Sequence, residues 1–502
     1  MIDSERYLTL LENRGVKLNE GQTAVFRRLY HFCLESDKFK WITLEGIAGS
    51  GKTFVLNRVI EAVKATNPNI SIGMTAPTHK AVRVLRNHSE MKNRLDFGTI
   101  HSFLGLKQKH DEKTGKVTFE PEFGSERERK IDTIQVLIVD ETSMLQDDLF
   151  GYIEDEVRSG HLKVIFMGDP LQIPPVGKKK QTGENNAIPF MKSRQEAHKI
   201  DLVSLTEPQR QAANSPIILY ATAIRHQGKR QFPEFEFKEE YKDHLEKIAP
   251  RGNLPLLHKL FEEYFGSPEF EADPDYVKVI AWQNKTVNYF NHEIRLLLNK
   301  KYMEDNNLDT LPSIIVGDRL VLDQPLIVGK KIIMQNNEEV RVVECEIVEE
   351  GIDYRLIREG NSFKKMSGED EDKQHLRTWD AKFYKVVLKD EEGKVTRTKI
   401  IHEDVFEEFK DIRERLATAA KESRESFNRK TNWQQFFRLE KMFCWVKHNY
   451  CLTAHKAQGS TYKYCFVMGW DIYMNKLDLE ERNRIMYVGA TRPTEKLWVI
   501  MP

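Results

Sequence analysis

The stretch that decides the fold reads Gly46-Ile47-Ala48-Gly49-Ser50-Gly51-Lys52-Thr53. It matches the pattern GxxxxGK[ST], and it lies between a short apolar run at residues 41–44 and a helix-like stretch at residues 54–65. In that setting, glycines let backbone N–H groups surround phosphates at the N-terminus of a helix. We therefore predict an ATP-binding phosphate loop, in which Lys52 contacts the β- and γ-phosphates and the Thr53 hydroxyl ligates Mg²⁺. The residues predicted to bind the nucleotide in this loop are Gly46, Gly49, Ser50, Gly51, Lys52 and Thr53.

Two adjacent carboxylates follow a second apolar run. The run at residues 136–139 has the composition of a buried strand, and it ends in Asp140 and Glu141. Acidic pairs at strand ends are usually solvated turn residues, but the phosphate loop favours a catalytic interpretation here. Asp140 is predicted to hold the Mg²⁺ shell and Glu141 to polarise the attacking water. Gln172, in the loop after the run at residues 164–167, is predicted to reach the γ-phosphate or that water; the alternative is a proline-stiffened surface loop.

The spacing of the apolar runs predicts an α/β fold. Between residues 39 and 205, short β-branched or apolar runs alternate with helical patterns, which is typical of a parallel sheet covered by helices. A second series, at residues 276–281, 464–467 and 497–500, predicts a second α/β lobe. This lobe is interrupted at about residues 301–450 by a β-barrel-like insert with a helical excursion, whose part at residues 403–430 has a helical pattern. Residues 107–130 predict a hairpin.

Composition excludes some classes of protein. Lysine plus arginine and aspartate plus glutamate each number 77, so the net charge is zero and any nucleic-acid track must be a local channel. The five cysteines lack the paired spacings of zinc sites, and we interpret them as packing residues in a reducing compartment. The N-terminal sequence lacks a targeting pattern, and no uncharged apolar run is long enough to span a membrane. We therefore expect a cytoplasmic protein that does not bind membranes.

The order of these stretches resembles the superfamily 1 helicases, specifically the 5′-to-3′ branch and the Dda-type helicases related to RecD. The resemblance spans Leu18 to the C-terminus and is loosest at residues 349–429. It implies two RecA-like P-loop NTPase lobes with parallel sheets, a β-hairpin insert in the first lobe and an SH3-like β-barrel insert in the second. The implied boundaries are residues 1–98 with 131–205 for the first lobe, 99–130 for the hairpin insert, 206–300 with 451–502 for the second lobe, and 301–450 for the SH3-like insert.

The resemblance adds residues to the predicted nucleotide site. Gln22, in a stretch similar to the family's Q motif, would read the adenine edge. Arg210 and Arg492, in stretches similar to motifs IV and VI, would be arginine fingers that neutralise charge on the γ-phosphoryl oxygens when the lobes close. Gln458 and Gly459, in a stretch similar to motif V, would approach the nucleotide and couple it to the DNA.

The same resemblance implies a DNA track, in which hydroxyl, imidazole and amine groups contact phosphates. The residues assigned to it are Pro77, Thr78 and His79 in motif Ia, Thr99, His101 and Ser102 in motif Ib, Asn284 and Lys285 in the second lobe, and Thr453, His455 and Lys456 in motif V. Trp282 is equally consistent with a core position. The lysines at residues 178–180 either contact phosphates or lie in a solvated loop.

An aromatic wedge is the remaining expectation from the family. In the 5′-to-3′ branch, the hairpin of the first lobe splits the duplex, and Phe119 is the residue expected to stack on the last base pair. The alternative is that Phe119 packs under its own hairpin. The aromatic cluster of Trp433, Phe436 and Phe437 either braces this wedge or forms part of a core.

Together these features predict an ATP-dependent DNA helicase that moves 5′ to 3′ on single-stranded DNA and unwinds forked duplexes in replication, recombination or repair. Its cofactors would be ATP and Mg²⁺, and it would act as a monomer, with single-strand-binding protein or replisome components as partners. If the protein is from a phage, it would work in the host cytoplasm. Three alternatives stay open: a translocase that displaces proteins without unwinding, an RNA helicase, and a binding protein whose affinity ATP switches.

Overall fold

The structure is a computed structural model that describes residues 3–35, 40–110, 117–121, 129–174, 201–207, 215–328, 331–357 and 376–502. It divides into two compact units, one formed by Met1–Gly105, Phe123–Leu298 and Tyr450–Pro502, and the other by Leu106–Glu122 and Asn299–Asn449. In the described ranges, no helix combines the length and the apolar character needed to cross a membrane.

Helices and strands alternate along much of the described chain. The helices, in chain order, are α1 (Ser4–Asn13), α2 (Glu20–Leu34), α3 (Lys52–Thr66), α4 (His79–His88), α5 (Ile100–Phe103), α6 (Asp147–Arg158), α7 (Pro216–Arg225), α8 (Leu254–Phe265), α9 (Pro268–Ala272), α10 (Asn284–Leu298), α11 (Lys300–Asp305), α12 (Phe406–Glu422), α13 (Ser426–Lys441), α14 (Ala454–Ala457), α15 (Gly469–Ile472) and α16 (Leu479–Ala490). The strands are β1 (Trp41–Gly46), β2 (Ile72–Ala76), β3 (Asp96–Thr99), β4 (Leu106–His110), β5 (Val117–Pro121), β6 (Val136–Val139), β7 (Lys163–Gly168), β8 (Asp201–Leu205), β9 (Leu245–Ile248), β10 (Val277–Ala281), β11 (Arg319–Leu322), β12 (Leu326–Val328), β13 (Lys331–Met334), β14 (Glu339–Arg355), β15 (Leu376–Asp390), β16 (Val395–Ile401), β17 (Val446–His448), β18 (Cys451–Thr453), β19 (Tyr462–Val467) and β20 (Pro493–Ile500).

The first unit contains a parallel sheet in the order β3-β2-β6-β7-β1-β8. Its central strands read as continuous apolar runs because helices cover both faces of such a sheet. Val55, Val59 and Val63 of α3 are buried in the core on one side, together with Phe26 and Leu29 of α2. We call this sheet and its helices the first lobe.

A second parallel sheet, in the order β18-β10-β19-β20-β9, lies in the same unit and forms the second lobe. Aromatic packing stabilises it, with Phe466 stacked on Trp498 at a centroid distance of 4.4 Å and Phe261 edge-on to Phe466 at 5.1 Å. The prediction of an α/β fold with parallel sheets is confirmed. The predicted apolar runs, including one at residues 70–75, coincide with β1, β2, β6, β7, β10, β19 and β20; most ends agree within two residues, but β20 begins four residues before its predicted run.

The second unit contains an antiparallel sheet in the order β16-β15-β14-β11-β17. Its strands β14 and β15 have 17 and 15 residues, and they pair along nearly their whole length. Trp379 of β15 packs against Phe409 of α12, so the helical excursion shares a core with the strands. The stretch at residues 403–430, predicted as one helical part, is divided between α12 and the start of α13.

Two further strand pairs belong to the second unit. Strands β4 and β5 pair antiparallel as a hairpin, with Gln108 opposite Phe119, and β12 pairs with β13. The hairpin groups with the antiparallel sheet rather than with the first lobe, from which its chain emerges. Trp433 of α13 is 5% exposed and stacks on Phe437 at 5.8 Å, which favours a core position for that tryptophan.

The cysteines are free thiols, and four of them are buried: Cys33, Cys444, Cys451 and Cys465. Burial raises the pKa of the Cys33 and Cys444 thiols to about 12, so both stay protonated and unreactive at neutral pH. This agrees with their interpretation as packing residues.

Candidate nucleotide and nucleic-acid sites

The phosphate loop (residues 46–53) connects β1 to α3. Gly49 and Gly51 have φ angles of +74° and +83°, which glycine adopts without strain. A Cβ atom on Gly46 would lie 2.5 Å from Ser50 Oγ, so this position also requires glycine. The Lys52 ammonium donates to the carbonyl oxygens of Gly46 at 2.6 Å and Ile47 at 3.1 Å. These contacts curl the loop around the place where phosphates bind in such loops.

The acidic pair lies at the carboxyl end of β6, two strands away from β1 in the sheet. The Glu141 N–H donates to Asp140 Oδ1 at 2.8 Å, and Glu141 has a φ of +49°, a strained backbone for a residue with a side chain. Burial, together with the neighbouring Glu141 charge, raises the pKa of Asp140 to about 7. Burial also raises the pKa of Glu141, while the charges of Arg492 and Lys52 lower it.

The oxygen atoms at this site suit a hard cation. Mg²⁺ is usually held by one or two carboxylates together with substrate phosphates, not by a closed cage of protein ligands. No cluster of three or more acidic, histidine or cysteine side chains with metal-binding geometry occurs in the described ranges. The Asp140 carboxylate and the Thr53 hydroxyl therefore fit an ion that binds together with the nucleotide. Glu141 Oε2 is buried and accepts no hydrogen bond from the described residues, which leaves it available to a water molecule.

Residues of the second lobe contact this site directly. Gln458 Nε2 donates to Ser143 Oγ at 2.8 Å and to Gln172 Oε1 at 2.9 Å, and all three side chains are buried. Gly459 lies so close to the acidic pair that a Cβ atom there would be 3.6 Å from Glu141 Cγ. Gln172, Gln458 and Gly459 were predicted from sequence to belong to the nucleotide site, whereas Ser143 was not, because no motif pattern distinguishes it.

Two further side chains of α16 reach the first lobe, and both were missed. Tyr487 donates its hydroxyl to Asp169 Oδ2 at 2.7 Å and accepts the Ala48 N–H of the phosphate loop at 3.1 Å. Arg484 donates to the backbone carbonyls of Pro170 and Gln172, both at 2.9 Å. Tyr487 lies within the stretch that resembles motif VI, and the spacing of three residues places it on one helix face with Arg484. Neither signal identifies the partners of the two side chains.

Of the two predicted arginine fingers, Arg492 lies among the residues that the structure describes. Arg492 is 7% exposed, and its guanidinium donates to the carbonyls of Val488 and Ser460, each at 3.1 Å. It is close enough to Glu141 to lower the pKa of that carboxyl group. Arg210 lies outside the described residues, as do the lysines at residues 178–180.

Gln22 is almost completely buried at 1% exposure and forms a capping box with Asn19 at the start of α2. The Gln22 N–H donates to Asn19 Oδ1 at 2.8 Å, and Gln22 Oε1 accepts the Asn19 N–H at 3.2 Å. Gln22 Nε2 is buried and has no hydrogen-bond partner among the described residues. A hydrogen-bond acceptor on the edge of a purine base would satisfy this donor.

The predicted DNA-track residues follow the carboxyl ends of β2 and β3 in the first sheet and of β10 and β18 in the second. Three of their threonines cap helices: Thr78 accepts the Ala81 N–H, Thr99 the Ser102 N–H and Thr453 the Lys456 N–H. Each cap uses a lone pair of the threonine oxygen and leaves its O–H proton available to donate. The remaining track residues vary in exposure: His79, Ser102, Asn284, Lys285 and Lys456 are exposed, and Pro77, His101 and His455 are half-buried.

Two histidines of the track stay neutral at pH 7. Burial lowers the pKa of both His101 and His455 below the ordinary value, and for His455 this effect outweighs the opposing charge of Glu481. They would therefore contact phosphates as neutral donors. Trp282 is half-buried and packs against the core of the second lobe.

The loop at residues 282–283 is held by a carboxylate that no sequence motif identified. Asp471 of α15 accepts the N–H groups of Trp282 at 2.8 Å and Gln283 at 2.9 Å, and the Thr286 hydroxyl at 2.8 Å. It is fully buried, so these bonds compensate for the loss of its hydration. Asp471 thereby fixes the loop that precedes Asn284 and Lys285.

Phe119 lies on β5 in the second unit, and its side chain is 47% exposed. Exposure at this level is consistent with the predicted stacking role and argues against complete burial under the hairpin.

Comparisons with known proteins identify the family of this chain. A model of the AAA domain matches residues 17–244, and a model of the UvrD-like helicase C-terminal domain matches residues 448–500. The ATP-dependent DNA helicase Dda of Enterobacteria phage T4 is 30% identical over 492 residues, covering 95% of this chain and 97% of that protein. Uncharacterized protein R530 of Acanthamoeba polyphaga mimivirus is 23% identical over 531 residues, covering 95% and 99%.

Among solved structures, the Pif1 helicase from Bacteroides in complex with ADP-AlF3 and ssDNA matches with a TM-score of 0.47 at 14% identity, covering 97% of this chain and 95% of that one. The family assignment depends on the sequence relatives, because one of them matches nearly the full length of both proteins at 30% identity. The predicted resemblance is confirmed, and this chain belongs to the Dda-type family of superfamily 1 ATP-dependent DNA helicases.

Proposed function

We propose that this protein hydrolyses ATP on Mg²⁺ to move 5′ to 3′ along single-stranded DNA, and that it separates duplex strands at forks. The observation that carries the proposal is the contact between the lobes at the nucleotide site. Gln458 of the second lobe hydrogen-bonds to Ser143 and Gln172 of the first, next to the acidic pair that follows β6. ATP bound there would touch both lobes, so hydrolysis and release would change their contact.

The order of strands separates the two binding functions along one edge of the first sheet. The carboxyl ends of β1, β6 and β7 carry the phosphate loop, the acidic pair and Gln172, whereas β2 and β3 carry the predicted DNA track. Ligands of parallel α/β sheets bind beyond the carboxyl ends of the strands. The sheet therefore favours binding of ATP and DNA side by side without overlap, as a motor requires.

The nucleotide residues have distinct roles in this proposal. Lys52 would leave its carbonyl partners for the β- and γ-phosphates, and Gln22 Nε2 would donate to the adenine edge. Glu141 would accept a proton from the attacking water, since its free Oε2 and raised pKa suit a general base. Mg²⁺, held by Thr53 and Asp140, would neutralise phosphate charge.

Positive charge for the transition state would come from the second lobe. Arg492, which already influences the Glu141 carboxyl group, would turn to the γ-phosphoryl oxygens together with Arg210. Arg492 now donates to backbone carbonyls. A charged phosphate is a stronger acceptor than a carbonyl and would replace them.

DNA would pass along the strand ends that carry the capping threonines. The contacts would reach phosphates and stacked bases, so binding would show little sequence preference and strong salt dependence. The hairpin with Phe119 would serve as the wedge, and the five-stranded antiparallel sheet as an SH3-like insert. Single-strand-binding protein or replisome components would be its partners, and the working form would be a monomer.

Two alternatives share the nucleotide chemistry. A translocase that displaces proteins would not need Phe119, and an RNA helicase would use the same phosphate contacts on a different sugar. The family favours DNA unwinding, since the Dda relative is named an ATP-dependent DNA helicase.

The proposal is tested by ATP turnover with and without single-stranded DNA, for wild type and Lys52→Ala. The same samples are then given forked duplexes with either a 5′ or a 3′ single-stranded tail. We expect DNA to raise turnover, Lys52→Ala to abolish it, and only the 5′-tailed fork to open. Turnover that ignores DNA, with neither fork opened, would favour the ATP-switched binding protein. RNA in place of DNA tests the remaining alternative.

A further inference from the structure

The contacts between the lobes converge on one short loop, residues 169–172, which follows β7 and ends in Gln172. Asp169 accepts the Tyr487 hydroxyl, the carbonyls of Pro170 and Gln172 accept from Arg484, and the Gln172 amide oxygen accepts from Gln458. Two hydrogen bonds hold the turn within the loop. The Gln172 N–H donates to the Asp169 carbonyl oxygen at 3.2 Å, and the Leu171 N–H donates to Asp169 Oδ1 at 2.9 Å. The second lobe therefore supplies much of what fixes this loop.

The Arg484 guanidinium contacts both this loop and its own helix. One terminal nitrogen of its guanidinium donates to both loop carbonyls, and the other donates to the Glu480 carboxylate one helical turn earlier at 2.8 Å. The planar guanidinium is thus held at one end by its own helix and at the other by the opposite lobe. These bonds are charge-assisted, so they are stronger than the neutral bonds within the loop.

We propose that Arg484 is a positioning residue for ATP hydrolysis, which holds the backbone of the Gln172 loop from the opposite lobe. The inference rests on the proposed function, because Gln172 is the group through which Arg484 would act. Gln458 orients the Gln172 side chain and Arg484 fixes its main chain, so both supports come from the second lobe. Gln172 is then in place only while the lobes are in contact, which links hydrolysis to lobe closure.

The test is a double-mutant cycle of Arg484→Ala with Gln172→Ala, read as kcat and KM for ATP with and without an oligothymidine strand. We expect Arg484→Ala alone to lower kcat about 10- to 100-fold with a small change in KM, because misplacing a group near the reacting atoms costs rate. In the Gln172→Ala background, the same change should lower kcat less than about 2-fold, since the group it positions is gone. Arg484→Lys should recover part of the rate, because an ammonium can still donate to one carbonyl.

Arg482 provides the matched control. It lies on the same helix and is 3% exposed, and its guanidinium donates to the Arg230 carbonyl inside the second lobe at 2.7 Å. Because Arg482 does not contact the loop, its effect should be independent of Gln172. The fold reductions in kcat caused by Arg482→Ala and by Gln172→Ala should therefore multiply in the double mutant. Thermal midpoints of all variants identify any that fail to fold.

The proposal is overturned if Arg484→Ala leaves kcat unchanged, or if its effect is the same in both backgrounds. Because the cycle is also run on basal turnover, it tests the role of Arg484 even if DNA does not stimulate the wild type. A lack of stimulation by DNA would count against the motor function and not against the positioning role.

Discussion

At the scale of single residues, the Gln22 side chain uses one polar atom inside the fold and leaves the other without a protein partner. Its Oε1 completes the capping box with Asn19, whereas Nε2 is buried and unpaired among the described residues. An unsatisfied buried donor costs roughly 1 to 3 kcal/mol. A ligand that accepts from Nε2 would recover this cost, so the donor favours a nucleotide base at this position.

Gln22→Glu separates the two uses of the side chain. Glutamate can still accept the Asn19 N–H and complete the cap, but it replaces the amide donor with an acceptor. We expect KM for ATP to rise about tenfold, the cost of one lost hydrogen bond. Steady-state turnover as a function of ATP concentration measures this change.

Asn19→Ala is the control for the cap. It should lower the free energy of unfolding by about 1 kcal/mol through loss of the N-cap, with KM for ATP unchanged. If Gln22→Glu leaves KM as it is in the wild type, or if Asn19→Ala raises KM equally, Gln22 does not read the base.

His455 gives a prediction about pH. Burial lowers its pKa in the folded protein, so at pH values between the folded pKa and about 6.5 the unfolded chain binds more protons than the folded one. The contribution of neutral His455 to stability is therefore complete above about pH 6.5 and decreases as the pH falls. We expect the thermal midpoint to drop more for wild type than for His455→Gln when the pH is lowered from about 7.5 to about 5.5. Equal drops for both proteins would contradict the assignment.

The nucleotide residues with a local motif could be predicted from sequence, and those defined by tertiary contacts could not. Lys52, Asp140 and Glu141 follow apolar strands in fixed patterns that phosphate and metal chemistry require. Arg484 and Tyr487 are ordinary helix residues until α16 is placed against the loop at residues 169–172. Nothing in their immediate sequence specifies the partners.

At the scale of elements, helix caps position the predicted DNA track. Strands β2, β3 and β18 each lead into a helix that is capped by a threonine at the junction, namely Thr78, Thr99 and Thr453. Strand β10 leads into α10, whose first turn is instead held by Asp471 from α15. The fourth junction therefore depends on a long-range contact where the other three depend on a local one.

Asp471→Ala is predicted to weaken single-stranded DNA binding about tenfold, because the loop at residues 282–283 and the first turn of α10 lose the carboxylate that accepts three of their hydrogen bonds. Affinity for ATP without DNA should change little, since the loop lies at a junction of the predicted DNA track and not at the phosphate loop. Titration of a fluorescent oligonucleotide and of a fluorescent ATP analogue measures the two affinities separately.

Ser267→Ala is the matched control, because Ser267 caps α9 in the same lobe through the Phe270 N–H at 3.1 Å. It should cost about 1 kcal/mol of stability and leave DNA affinity unchanged. Loss of ATP affinity in Asp471→Ala to the same extent as DNA affinity would show general damage to the lobe.

The strands illustrate why part of the fold could be predicted. Strands β1, β6 and β7 are mostly apolar because both faces of the sheet are covered, and they were recognised. The edge strands β3 and β18 were not predicted because they have four and three residues, and β3 contains Asp96 and Gly98. Short edge strands bury fewer side chains, so their sequences carry less of the pattern.

At the scale of the whole molecule, the balanced charge restricts where DNA can bind. With no net charge, a long-range attraction of the entire protein for nucleic acid is absent, and affinity must come from local cations and aromatic side chains. Lys285 and Lys456 are exposed at the ends of neighbouring strands of the second sheet. Unwinding needs more than such contacts, because phosphate binding alone does not separate base pairs.

Phe119 allows translocation and strand separation to be distinguished in one experiment. Stacking of an aromatic ring on a base is worth roughly 1 to 3 kcal/mol, so Phe119→Ala should slow the opening of a 5′-tailed fork by about 5-fold or more. ATP turnover on single-stranded DNA should stay within about 2-fold of wild type, since Phe119 belongs to a different compact unit from the nucleotide residues. Phe427→Ala controls for the loss of an exposed ring, because Phe427 is 58% exposed in the same compact unit. If both variants open forks as fast as wild type while turnover is retained, Phe119 is not the wedge. The duplex would then have to be split elsewhere, or the protein would act as a translocase.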